Sequence, residues 1–163
     1  EVHGMSHKTL SKLLLAAGVI ACIGGAVVFF LYAPLMAAEC RLMYPELAHF
    51  AWPMLIYIWV IALLYLHAVF LYMRISVRLG KNRSFCPENA DDLKRIALFL
   101  IIAAALWFLL IFLPGVIGLD IGPAFLLFLL ACMATLAVAI VAYALSLLVR
   151  RAAALQAEND LTI

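Results

Sequence analysis

Residues 121–149 read IGPAFLLFLLACMATLAVAIVAYALSLLV, 29 residues without a formal charge. A helix needs about 20 residues to cross about 30 Å of hydrocarbon at about 1.5 Å per residue. Three further stretches meet that length: Leu13–Ala38, Phe50–Met73 and Ile96–Leu119. Together the four fill most of the 163 residues, and the chain is 69% hydrophobic, 12% charged, with a mean hydropathy of +1.19. A soluble chain of this length cannot hide so much apolar surface, and no stretch offers water a polar face. In lipid the backbone must satisfy its own hydrogen bonds, so the stretches are helices. The expected fold is an all-α integral membrane protein. It is a four-transmembrane-helix bundle, one membrane domain over residues 1–163, with helices near 13–37, 51–79, 87–118 and 122–156.

The charges orient the bundle. Lys8 and Lys12 precede the first helix. Arg74, Arg78, Lys81, Arg83, Lys94 and Arg95 lie between the second and third, and Arg150 and Arg151 follow the fourth. The other two connections hold Arg41 alone. The positive-inside rule then gives an N-in/C-in topology, with a cytoplasmic loop at 74–95 and a cytoplasmic tail at 150–163. The connections Glu39–His49 and Gly115–Pro123 face outward. The net charge of +2 is a topology signal, and no direct nucleic-acid binding is expected. The first apolar run is too long for the core of a cleaved signal, so it reads as a retained helix. Met5, after Glu1–Gly4, is the expected native start.

Several chemistries are excluded. Cys22, Cys40, Cys86 and Cys132 are scattered, and no C-x-x-C exists, so a thiol-oxidase pair is missing. His3, His7, His49 and His67 are divided among both faces and the membrane interior, which leaves no metal set. There is no phosphate loop, nucleophile elbow or pair of acids at a shared depth. No enzyme activity, cofactor or metal is expected.

Small residues mark where helices approach in lipid. One row on the first helix is Ala17, Ala21, Gly25, with Gly18, Cys22, Ala26 beside it; another on the fourth is Ala131, Thr135, Ala139. They hold the bundle together or mediate a homo-oligomer. Pro34 and Pro114 lie near the outer ends of helices one and three, where a kink or stop costs least. His67 is the readily titratable group well inside a span, and intramembrane ionisable residues are functional candidates. His67 and Tyr143 each precede an arginine, Arg74 and Arg150, by seven residues on helices of the same direction, so they are expected to share a depth and pair. Outside, Glu46, His49 and Asp120, with Glu39, form a candidate external ligand set. Capping accounts for two of them equally well, since Glu46 stands at the positive start of helix two and Asp120 can cap helix four.

The cytoplasmic face carries the remaining candidates. Helix two runs to about Leu79, with Gly80 as its C′ residue. Ser84 to Asn89 opens helix three, with Pro87 at the first helical position and Glu88, Asp91 and Asp92 complementing the positive helix end. The tail is expected to fold back across the central loop. Glu158 and Asp160 would then meet basic groups such as Arg83, Lys94 and Arg95, while Leu161 and Ile163 seek an apolar groove beside Phe85.

The closing run Glu158-Asn159-Asp160-Leu161-Thr162-Ile163 resembles the end of a bacterial membrane family catalogued as domain of unknown function 2975. Tyr44-Pro45-Glu46 with Trp52-Pro53, the loop from Asn82 through Phe85 to Glu88-Asn89, Leu93-Lys94-Arg95-Ile96, and Asp120 with Pro123 fall in that family's order. The chain departs from it at Ala62–Tyr65, where the family often has a proline, and at Cys86, commonly serine there. The resemblance implies a multi-pass protein of the bacterial cytoplasmic (inner) membrane with no established catalysis. Members are commonly encoded beside a small Cro/CI-like helix-turn-helix regulator. That implies a regulatory or sensor role in which the cytoplasmic face binds such a regulator through Arg83, Phe85, Glu88, Asn89, Lys94, Arg95, Glu158, Asn159, Asp160, Leu161, Thr162 and Ile163. A small transporter or channel subunit, or a lipid-interacting scaffold, stands as the alternative.

Overall fold

The structure is a computed structural model that describes residues 7–81, 84–116, 122 and 124–160. In chain order they form α1 (His7–Ala26), a π-helical segment (Val27–Tyr32), α2 (Ala33–Met43), a 3-10 helix (Pro45–Phe50), α3 (Ala51–Gly80), α4 (Pro87–Val116) and α5 (Ala124–Asp160). Four helical spans among the described residues are long and apolar enough to cross a membrane: Lys8–Met43, Pro45–Gly80, Pro87–Phe112 and Phe125–Asn159.

The first span runs past the expected 37 to Met43, through Glu39 and Arg41. Nothing between 38 and 43 breaks a helix. The stop comes from Pro45, which holds the preceding Tyr44 in an extended conformation (φ −129°, ψ 75°). The outer connection expected at Glu39–His49 is therefore mostly helical.

Pro34 lies within this span, and it explains the π segment. A prolyl ring clashes with the carbonyl four residues back and brings no N–H. Widening the turn moves that carbonyl aside, and Ala33 N–H bonds five residues back to Val28 O. The next bond in that register would join residue 34 to Phe29 O, but Pro34 has no hydrogen to give. The orphaned Phe29 carbonyl instead accepts the indole N–H of Trp59 on α3, at 3.0 Å. Phe30 stacks on the same indole (6.2 Å between centroids), and Phe29 stacks on Tyr65 (5.9 Å).

Each span packs on its neighbours in sequence: α1 on α3, α3 on α4, α4 on α5. Two core clusters draw on α3, α4 and α5, around Ile61, Trp107 and Cys132 and around Leu71, Leu100 and Ala139. The first span stands outside them: 6% of its most apolar window is buried, against 44% in the third. It meets α3 through Gly18, where a Cβ would stand 3.0 Å from Met73 Cγ and 3.2 Å from Tyr72. Of the two expected small-residue rows, the one with Gly18, Cys22 and Ala26 is the more buried, while Ala17 and Ala21 are exposed.

The α4–α5 seam is the most extensive. On α5 the buried positions are Cys132, Thr135, Ala139, Ala142, Ser146 and Ala153; on α4 they include Ala90, Ala97, Ala104 and Ile111. Steps of three and four on one helix and of seven on the other give the 3.5-residue period of a left-handed coiled coil. Small side chains let the two backbones approach, so dispersion contacts replace the hydrophobic drive that lipid does not supply.

The outside of the bundle is apolar: Ile20, Phe70, Phe108, Leu127 and Ile140, among many others, are exposed. In water such a surface would aggregate, while in lipid it is the solvated face. Ala139 is fully buried in the seam. Ala139→Leu is expected to cost about 1–3 kcal/mol by overpacking, seen as a lower melting temperature in detergent, while Ala137→Leu, on an exposed face, is expected to leave the melt unchanged.

Candidate functional site at the basic end of the bundle

Arg78 stands in the last turn of α3, where a cation is favoured by the partial negative charge of the carbonyl end. Its Nη1 donates to Asp92 Oδ2 at 2.6 Å and to Asn89 Oδ1 at 3.2 Å. Arg74, one turn earlier, brings Nε to 3.8 Å from the same Asp92 oxygen. Asn89 completes the cluster by donating Nδ2 to Ser84 O at 3.0 Å, and its own N–H reaches Cys86 O at 3.0 Å. Asn89 and Asp92 are both buried. One carboxylate thus gathers two guanidinium groups from α3, while its neighbour Asn89 pins the start of α4.

The other spans join at this level. Ser11 Oγ of α1 donates to Ser76 O at 2.7 Å. Gly80 has no Cβ because one would stand 2.6 Å from that Ser11 oxygen. Gly80 is therefore a point of close approach inside α3, and the expected C′ role falls away: the helix is capped by Lys81 (φ −95°), and the positive-φ glycine among the described residues is Gly122. On the far side Arg150 Nη2 of α5 pairs with Asp91 Oδ1 across exposed surface.

Of the residues expected to form a partner surface, Phe85 is 57% exposed. Glu88, Lys94 and Arg95 are exposed too. Asn89 is buried and serves the scaffold. Glu158, Asn159 and Asp160 continue α5 as helix, so the chain does not turn back before Asp160. Arg83, Leu161, Thr162 and Ile163 lie outside the described residues, and so does the groove docking expected of the last three. The hub itself, Asp92 with Arg74 and Arg78, was not marked as a site by the sequence, because acids at a helix start read as dipole complements. The i, i+4 spacing of the two arginines was the available signal.

The other candidates separate. His67 is exposed, with its ring set edge-on against Phe99 at 4.6 Å. Tyr143 is exposed as well, and among the described residues no hydrogen bond joins the two. The expected pair fails on register. Tyr65 Oη of α3 bonds Thr135 Oγ1 of α5, so the fourth span is displaced by about six residues, or about 9 Å, from the alignment that counting from the arginines gives. The polar interior is the set Tyr65, Thr135 and Trp107, whose indole donates to Tyr65 Oη at 3.0 Å. Tyr57 Oη also donates to Leu106 O at 2.6 Å. Of the external set, Glu46 and His49 are exposed on the 3-10 helix, His49 against Phe50 at 4.1 Å; Asp120 lies outside the described residues. Among the described residues no three His, Cys, Asp or Glu are placed to hold a metal.

The family model described as a protein of unknown function, DUF2975, matches residues 35–163, and the chain belongs to that family. Neither the curated proteins nor the solved structures yield a match.

Asp92→Ala is expected to destabilise by about 2–3 kcal/mol, below the ~3–5 of a fully buried pair because both arginines keep access to water. Asp91→Ala, which breaks the exposed pair with Arg150, is expected to cost about 0–1 kcal/mol. Thermal denaturation of the two variants in one detergent separates them.

Proposed function

We propose that this is a membrane-embedded regulatory or sensor protein of a bacterial inner membrane, whose basic end faces the cytoplasm and captures a small helix-turn-helix regulator. The observation that carries the reading is Phe85. A large aromatic side chain stands 57% exposed beside the buried Asp92 cluster, and exposed aromatics on a rigid support are the usual anchors of protein contacts. Lys94 and Arg95 supply a charged rim. The Arg150–Asp91 pair sets α5 beside the start of α4, so the residues beyond Arg150 run alongside the α3–α4 connection. That helical extension adds an exposed Leu155 to the same end.

A transport path would need polar groups free to receive a solute. The interior hydroxyl and indole groups of Tyr57, Tyr65, Trp107 and Thr135 are instead committed to one another and to the backbone. The cleft between the first two spans, beside Cys22, Gly25 and Tyr65, has a volume of about 30 Å³, room for about two water molecules.

Topology is tested at Cys40, which is exposed, whereas Cys86 is buried and makes a poor reporter. A membrane-impermeant maleimide is expected to label Cys40 on intact cells, and to label a Lys94→Cys variant after the membrane is opened. The reverse pattern would place the basic end outside and remove the cytosolic partner.

Capture is tested by co-purifying the regulator from solubilised membranes. Phe85→Ala combined with Lys94→Glu is expected to lower its recovery at least about tenfold without changing the melting temperature, and deletion of Leu161–Ile163 to do the same. Undiminished recovery in both variants would put the transporter or lipid-scaffold reading ahead.

A further inference from the structure

Among the described residues Arg41 has no counter-ion. It lies in the last turn of α2, with its guanidinium over the Trp52 ring at 5.3 Å from the centroid. Its Nε is buried, and among the described residues it meets no hydrogen-bond partner. Glu39 and Glu46 stand in the same segment, yet among the described residues neither is ion-paired with Arg41. Arg41 as a whole is half-buried, and a guanidinium, which presents five donors and cannot shed its charge, favours an anion at its open face.

The height of this group names the anion. Twenty-two residues of continuous α3 separate Trp52 from Arg74, about 33 Å along the axis. The hydrocarbon core is about 30 Å thick. With Arg74 at one boundary, the Trp52–Arg41 stack sits at the other, among lipid headgroups. Leu35, Leu42 and Tyr44 are exposed nearby, so apolar surface flanks the charge on its own helix. Stacking on an aromatic face fixes the guanidinium fork, and a fixed fork suits the paired oxygens of a phosphate.

We propose that Arg41 and Trp52 form a binding site for the phosphate of a phospholipid in the leaflet opposite the basic end. The ring holds the fork, the fork takes the phosphodiester oxygens, and the apolar flank takes the start of the acyl chains. The position is independent of which leaflet is cytoplasmic, and of the partner surface at the other end.

The test uses the full chain in detergent, with Cys22→Ala as background and bimane on Cys40, next to the site. Added phosphatidylglycerol is expected to change the bimane fluorescence saturably. Arg41→Gln should raise the midpoint at least about tenfold, and Arg41→Lys, which keeps the charge but loses the fork, should fall between. Lys94→Gln with Arg95→Gln should leave the midpoint unchanged, which separates this site from general attraction at the basic end. Diacylglycerol, which lacks phosphate, should produce no saturable change. Equal midpoints for Arg41→Gln and the parent chain would overturn the proposal, as would an equal response to diacylglycerol. Inorganic phosphate acting at the same concentration would overturn the lipid assignment in favour of a free anion. Should Arg41→Gln fail to fold, Arg41→Lys decides: a midpoint equal to the parent's refutes the fork.

Discussion

A peptide carbonyl in hydrocarbon has no water to turn to, and this constraint shapes the protein throughout. It makes every spanning segment helical. It also makes the proline inside the first span expensive unless another donor serves the carbonyl that proline abandons. The indole of Trp59 does so at Phe29, and the π-helical register is the local geometry that presents that carbonyl outward. One consequence is rotational. The bond fixes the azimuth of the first span on the second, and with it the side that Gly18 turns toward Tyr72 and Met73.

With water absent on the flanks, the packing energy comes from closeness. The third and fourth spans achieve it with alanines, a serine and a threonine along a heptad seam. The second joins them through larger side chains, Ile61 and Leu71. Hydrogen bonds between side chains then set register: Tyr65, Thr135 and Trp107 meet across three spans. Such bonds average about 0.6 kcal/mol in membranes, too little to drive assembly. They are enough to decide among packings of similar area.

Much of the architecture was legible because length and apolarity are one-dimensional signals. The four spans could be read from uncharged runs, and the end of α3 from Gly80, which proves to be the last residue of the helix and not its C′ residue. What sequence cannot carry is the relative sliding of helices that are not neighbours in the chain. Counting from Arg74 and Arg150 put His67 beside Tyr143, whereas the Tyr65–Thr135 bond fixes a different alignment. Charges misled at the other end, since Glu39 and Arg41 read as loop although no breaker stands between them and Pro45. At the candidate site Phe85 was named as a partner contact, with the tail docked beside it; its exposure is what the structure adds. The buried Asp92 was not marked as a site, because an acid at a helix start looks the same whether it faces water or two arginines.

The lopsided burial of the spans bears on how the chain is made. The first span leaves the ribosome before the others but, among the described residues, leans on the second alone. The core draws on the second, third and fourth spans, so it cannot close until the last of them is in the bilayer. Until then the early helices depend on lipid contact and on the insertion machinery. The pairs of Arg74 and Arg78 with Asp92 tie α3 to the start of α4, so these two helices can engage as soon as both have been synthesised.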